Sequence, residues 1–549
     1  MAQNQPLQDA MEAIDQKIWK LKEAIRRLRS ERNGILPISQ LPPEILARIF
    51  QFVADDESRE LKPLERLNFS HVSHHWREVA LSTPSLWRVI SLGFPDCSTV
   101  MLQRSKMADL ILYAGPGLKS PKDAQMIQLA LSHMEHVCEI TICFHRRESQ
   151  AGGRIHEMLS LFPKSAPRLR FLSITPSDPD LTHTISLPEG FPLSDTPRLR
   201  QLVLTCCKFL DWDSKLLTGL SYLKVHNISG RHSPSTHQIL DALRRLPALS
   251  SLDLSYVSVT LVGNTTYRGD PVNLAELKDL RLAGQLNDIS LILAHVVINP
   301  SALIEIDCVD RTGSRDRHIA DPDIPGFFSS LSSFCNAYEA PRPVHLNLET
   351  CHYTDGHIRL KLAAYATETS DLDYDGRSDR PQFSLELSLD DNDVGGAVSR
   401  ENQLGYMFQG VFPLEQHTSL RTLVWYSYGF VASDILVDAF GLLPNLERIS
   451  LSVINRIPFI NALMHKPFDY NSSPVASDSV ILPCLHTLVF GGHPFRSRGE
   501  VRALQDCLIE RCERNAPLQK LIVKLPMGWN MRDNDIALLR EIVVDLEAI

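Results

Sequence analysis

Three things are scarce in this 549-residue sequence: excess basic charge, long apolar runs and regularly spaced cysteine. Lysine and arginine number 56 against 65 aspartate and glutamate, a formal charge of -9 spread along the chain. No long basic field can track a phosphate backbone, so nucleic acid is not an expected partner. The longest nearly unbroken apolar run, residues 289–298, already contains Ser290 and His295. A bilayer crossing takes roughly 20 apolar residues, so no membrane partner is expected. The opening MAQNQPLQDA has no basic stretch leading into an apolar core and no small-residue cleavage site. A secretory signal is therefore not expected, and the chain is placed inside the cell, in cytoplasm or nucleus. Eleven cysteines, an odd number at irregular spacings, read as reduced and mostly buried thiols rather than a disulfide framework.

Catalytic signatures are missing too. The sequence has no Walker loop, no G-x-G-x-x-G after a strand, no G-x-S-x-G elbow and no H-E-x-x-H. No catalytic residue is named, no cofactor is expected, and the chain is read as a non-enzyme.

What is present begins with a heptad pattern. Leu7, Met11, Ile14, Ile18, Leu21, Ile25 and Leu28 recur in alternating steps of four and three, one seam of a helix repeating every 3.5 residues. Gly34 and Pro37 end it, and the first segment, 1–36, is read as a coiled-coil-like helix of about 26 residues. In a parallel homodimer Lys17 at position g would face Lys22 at position e, so a homodimer is left open and not favoured.

A compact helical module follows over 37–92. The double proline Pro42-Pro43 suits a first helical turn, and Glu44 sits where the helix dipole favours negative charge. Ile45, Leu46, Ile49, Phe50 and Val53 then form one broad apolar stripe. A second helix is expected from about Leu64 to Leu81, closed by Thr83-Pro84 before the short piece SLWRVI.

The residues of this module resemble a known family. Leu41-Pro42-Pro43-Glu44-Ile45-Leu46, Ile49-Phe50, Val72-Ser73-His74-His75-Trp76-Arg77 and Pro84-Ser85-Leu86-Trp87 are similar, in order and spacing, to the F-box. Ser73 stands where that family often has cysteine, and two histidines replace its usual basic pair. The preceding heptad helix resembles the arrangement in a large group of basidiomycete F-box proteins. The resemblance implies binding of the Skp adaptor and, through it, the cullin scaffold of an SCF ubiquitin ligase. It implies Leu41, Pro42, Ile45, Leu46, Ile49, Phe50, Val72 and Trp76 as the adaptor contacts, although several of them equally suit the module's own core.

From about residue 167 a second pattern recurs: apolar, two variable, apolar, one variable, apolar. It appears as Leu169, Leu172, Ile174; Leu199, Leu202, Leu204; Leu220, Leu223, Val225; Leu249, Leu252, Leu254; and Leu277, Leu280, Leu282. Later copies are Leu303, Ile306, Cys308; Leu420, Leu423, Trp425; Leu446, Ile449, Leu451; Leu485, Leu488, Phe490; and Leu518, Leu521, Val523. The last step of each puts two side chains on one face of a strand, and helical segments such as 237–246 and 502–514 lie between copies. This resembles a leucine-rich repeat. The expected fold is α/β: a heptad helix, a small helical module, then over 93–549 an irregular solenoid with a curved parallel sheet. Residues 309–417 break the run, as an insertion or as degenerate repeats. The face that would hold a target protein is not legible.

Two metal motifs are weak. Asp371-x-Asp373-x-Asp375-Gly376 begins like a calcium loop, but Pro381-Gln382 stands where a bidentate glutamate is needed. His71, His74 and His75 share the spacing of one helix face without a supporting Cys or carboxylate cluster in the sequence. No metal is expected.

Overall fold

The architecture comes from a computed structural model. It describes residues 5–54, 65–115, 121–144, 158–177, 185–187, 193–208, 211–228, 234–257, 269–309, 324–338, 342–352, 357–366, 380–390, 419–427, 436–437, 443–464, 480–491, 495, 497–524 and 533–548. The chain divides into two compact units, residues 1–206 and 207–549.

The first unit opens with α1 (Gln5–Gly34), at 30 residues slightly longer than the heptad pattern predicts. A 3-10 turn over Pro37–Gln40 leads into α2 (Pro43–Ala54), whose first turn is closed by the Pro42 carbonyl. The single helix expected from Leu64 to Leu81 is instead two pieces, a 3-10 segment Glu65–His71 and α3 (His74–Ser82). Ser73 makes the break: extended at φ -153°, its hydroxyl accepts the Trp76 backbone N–H at 3.2 Å as an N-cap. SLWRVI is a 3-10 turn, Pro84–Trp87, followed by β1 (Val89–Ser91).

From β1 the chain alternates strand and helix: α4 (Pro95–Ser105), β2 (Leu110–Ala114), α5 (Pro121–Leu131), β3 (Val137–Phe144), then β4 (Phe171–Pro176) and β5 (Gln201–Thr205). All neighbours pair in parallel. The register aligns Ile90, Leu112, Ile140, Leu172 and Leu202 in one row, each 2% exposed or less. The apolar ladder therefore starts three strands before the pattern near residue 167.

In the second unit β6 (Tyr222–Ile228), β7 (Ser251–Val257), β8 (Asp279–Ala283) and β9 (Leu303–Val309) pair in parallel and in sequence. Helices α6 (Thr236–Arg244) and α7 (Leu286–Leu293) occupy two of the connections, the first closed by a reciprocal Ser235/Gln238 capping box. The sixth repeat copy is out of frame by two. Ile304 and Ile306, not Ile306 and Cys308, pair with Leu280 and Leu282, and buried Ala302, two residues before Ile304 instead of three, stands in for the leading leucine while Leu303 is half-buried.

The break at 309–417 contains three strands of the same sheet in changed order. After α8 (Ile324–Tyr338) the chain forms β10 (His345–His352), β11 (His357–Tyr365) and β12 (Phe383–Asp390). β12 pairs in parallel with β9; β11 lies antiparallel between β12 and β10. β10 then pairs in parallel with β13 (Thr422–Ser427). Only residues 353–356 separate β10 from β11, and a link that short permits an antiparallel neighbour alone. The parallel run resumes through β14 (Arg448–Val453), α9 (Ile457–Met464), β15 (Thr487–Phe490), α10 (Arg498–Glu513), β16 (Lys520–Val523), α11 (Asp533–Arg540) and β17 (Asp545–Ala548).

One buried row crosses the unit: Val225, Leu254, Leu282, Ile306, Leu385, Leu362, Leu348, Trp425, Leu451, Phe490 and Val523, each 3% exposed or less. At roughly 1.5–3 kcal/mol for each large apolar side chain removed from water, such rows dominate the stability of the sheet. Two arginines are buried beside it. Arg456, at 0% exposure, lies 3.9 Å from Glu500 and faces the rings of Phe490 and Phe495. Arg511 donates to the Ile481 and Leu482 carbonyls at 2.8 and 2.9 Å, fixing a turn in which Leu482 has φ +53°.

Candidate functional site

The helical module after α1 has an inner and an outer apolar face. Inside, Leu46 (0% exposed) and Phe50 (1%) are fully covered. Phe50 stacks on Phe69 with ring centroids 4.4 Å apart and meets Trp76 at 5.1 Å. Trp87 closes the far side, its indole N–H donating to the Ala80 carbonyl at 2.8 Å while Arg104 lies 4.4 Å over the ring. Gln51 donates to the Ser85 hydroxyl and ties α2 to the closing 3-10 turn.

Outside, α2 presents Ile45 (46% exposed), half-buried Ile49, Phe52 (69%) and Val53 (43%). Their spacing of i, i+4, i+7 and i+8 makes a second stripe that adjoins the first on the helix surface. Ile35, Leu36, Ile38 and Val72 add further exposed apolar surface, and Arg48 lies 5.9 Å from the Phe52 ring. Large apolar side chains left exposed in this way form a candidate contact surface.

The eight residues singled out from the sequence therefore divide. Leu46 and Phe50 lie in the interior; Trp76 and Ile49 are half-buried; Leu41 is half-buried; Pro42, Ile45 and Val72 are exposed. Sequence reasoning passed over Ile35, Leu36, Ile38 and Phe52. The signal for Phe52 was its place seven residues after Ile45, which lays it on the outer stripe rather than on the inner one.

A second feature lies wholly in residues 207–549. On the polar face of the sheet, the register aligns Lys224, Asp253, Arg281 and Glu305 across four successive strands, alternating in sign. Lys224 to Asp253 is 3.1 Å and Arg281 to Glu305 is 3.5 Å. The row continues into Ser384 and Ala363, where side chains shorten, and a groove of about 740 Å³ opens there. Tyr222 and Tyr365 are among its lining residues, as are Asp307, Glu386 and Lys361. Charges of both signs beside two half-buried tyrosines make this a polar groove and not a pocket for a small apolar ligand.

Among the described residues no three His, Cys, Asp or Glu side chains gather as a metal site, and His74 lies 3.5 Å from Glu78. The Asp371–Asp379 segment falls outside the described residues. No helix among them is long and apolar enough to cross a membrane. Ten described cysteines are free thiols; Cys138, Cys206, Cys207, Cys308 and Cys507 are buried, Cys484 and Cys512 exposed.

Comparison with known proteins finds one family. Residues 38–93 match the family described as F-box-like, so the chain carries an F-box-like domain at the module built around Leu46, Phe50 and Trp76. No curated protein matches the chain.

Proposed function

We propose that the chain is the substrate-receptor subunit of an SCF-type ubiquitin ligase. Residues 38–93 dock the Skp adaptor and, through it, a cullin scaffold. The strand-and-helix ladder that follows, an irregular leucine-rich-repeat-like solenoid, holds a target protein. The contribution is non-catalytic: target and transfer machinery are held together, so that encounter becomes effectively intramolecular.

The observation that carries this reading is the outer stripe of α2 within the F-box-like match. A free-standing module has no use for Ile45, Phe52 and Val53 in water, whereas a helix laid in an apolar groove of a partner uses that spacing. Pro42, Ile45, Ile49 and Val72 are the direct contacts of this proposal, with Leu41 and Trp76 at its edge. Leu46 and Phe50 set the shape that presents them. On the ladder, the groove floored by Ser384 and Ala363 is the proposed seat of the target.

The test is co-purification of the full chain with the Skp adaptor, wild type beside Ile45→Asp and Val72→Asp. Wild type is expected to bind and both variants to lose binding without a change in melting temperature, because neither side chain belongs to the core. Binding that survives both substitutions would remove the docking surface, and a wild type that never binds would leave a scaffold with no part in ubiquitination.

A further inference from the structure

The seam of α1 is uncovered within its unit. Met11, Ile14, Ile18, Leu21, Ile25 and Leu28 are 43 to 64% exposed, six large apolar side chains in line on one helix. The charges around that seam are sorted by position. Asp9, Glu12, Asp15 and a single Lys17 lie in the first half; Lys20, Lys22, Arg26, Arg27, Arg29 and Arg32 lie in the second, tempered by Glu23 and Glu31.

We propose that α1 pairs with α1 of a second copy of this chain as an antiparallel two-stranded coil. With Met11, Ile18 and Ile25 at position a and Ile14, Leu21 and Leu28 at d, running the helices in opposite directions gives three kinds of core layer. Met11 meets Leu28, Ile14 meets Ile25, and Ile18 meets Leu21, each twice by symmetry. Every layer joins two side chains of similar volume.

The flanks decide the direction. In an antiparallel coil e positions face e positions and g positions face g positions. Asp15 then faces Lys22 of the other copy on both sides of the axis, and Lys17 faces Ala24. In the parallel alternative Lys17 at g faces Lys22 at e, twice, and like charges meet. Antiparallel packing thus turns two repulsive pairs into two attractive ones, and it sets the acidic half of each helix and its positive dipole end beside the basic half of its mate. This pairing is independent of adaptor docking and uses none of its residues.

Sedimentation equilibrium of the full chain tests the proposal between about 1 and 100 µM, the range in which a coil of about three heptads dissociates. Wild type is expected to dimerise. Lys22→Asp sets a carboxylate opposite Asp15 in both symmetry-related pairs and is expected to weaken the dimer roughly tenfold or more, since two attractive pairs become repulsive. The double variant Asp15→Lys with Lys22→Asp has the composition of wild type and is expected to restore association. A wild type that stays monomeric throughout would overturn the proposal. So would a tighter dimer in Lys22→Asp, the response of a parallel coil in which Lys17 gains an acidic partner, or a double variant that fails to recover. Adaptor co-purification of the same samples is expected to be unchanged, which separates this result from that of the docking surface.

Discussion

Two neighbours in α2, Ile45 and Leu46, show how one position along a helix separates docking from folding. Leu46 is fully covered and Ile45 is half in water. Phe50→Ala is expected to cost about 3–5 kcal/mol of stability by thermal or urea unfolding, because it opens a cavity against Phe69 and Trp76. Loss of adaptor binding in that variant would follow from lost shape, whereas the same loss in Ile45→Asp would come with the fold intact. Thiols divide by the same criterion. Burial pushes Cys507 up to about 12 and Cys138 up to about 11, and raises Cys308 further. Since these folded values exceed the ordinary 9.0, the folded state favours the neutral thiol. That stabilisation is complete below pH 9.0 and is lost as pH rises through the folded values. Labelling the native chain near neutral pH is expected to modify Cys484 and Cys512 first, with Cys138, Cys308 and Cys507 reacting only as the protein unfolds. Rapid labelling of Cys308 in the native state would contradict its burial.

At the scale of elements, what the sequence made legible was periodicity that the fold then used. Nine of the ten repeat copies lie on strands in frame, because a leucine three residues before two alternating apolar positions seats both the turn and the buried face. The sixth failed because Leu303 offered a stronger apolar side chain than Ala302, although the smaller residue is the one that fits. β1, β2 and β3 were passed over because no leucine leads them: Trp87 stands three residues before Ile90, Asp109 before Leu112 and Val137 before Ile140. The helix expected through Ser73 failed for a local reason: a serine hydroxyl competes for a backbone N–H and starts a new helix. Polar groups inside the core left no periodic signal at all. Arg456 and Glu500 are such a pair, on the loop before α9 and on α10. Removing one partner leaves a buried charge, so Glu500→Ala is expected to lower stability by about 3–5 kcal/mol in urea unfolding.

For the molecule as a whole, the order of strands was the least legible property, since pairing between segments far apart in sequence is not written in either one. Alternation in residues 344–348 and 383–387 identified strands; nothing in those residues says that the later one sits beside β9 and the earlier beside β13. The candidate site was legible in part. Its motif residues stood out by spacing, while the division into inner and outer faces depended on the break at Ser73, which turns α3 against α2.

The crossed block of β10, β11 and β12 has a consequence for how the second unit opens. A ladder built in chain order can peel from an end one rung at a time, each loss leaving a shorter ladder. β12 is held between β9 and β11, and β10 between β11 and β13, so the departure of any one of the three strips its neighbours of a partner. The amides of 345–352, 357–365 and 383–390 are expected to exchange with solvent at one shared opening free energy, while the edge strand β17 exchanges faster by itself. Three separate opening energies would contradict this. The block works as a bolt: repeats can be gained or lost on either side of it one at a time, but its own three strands must be kept or discarded together.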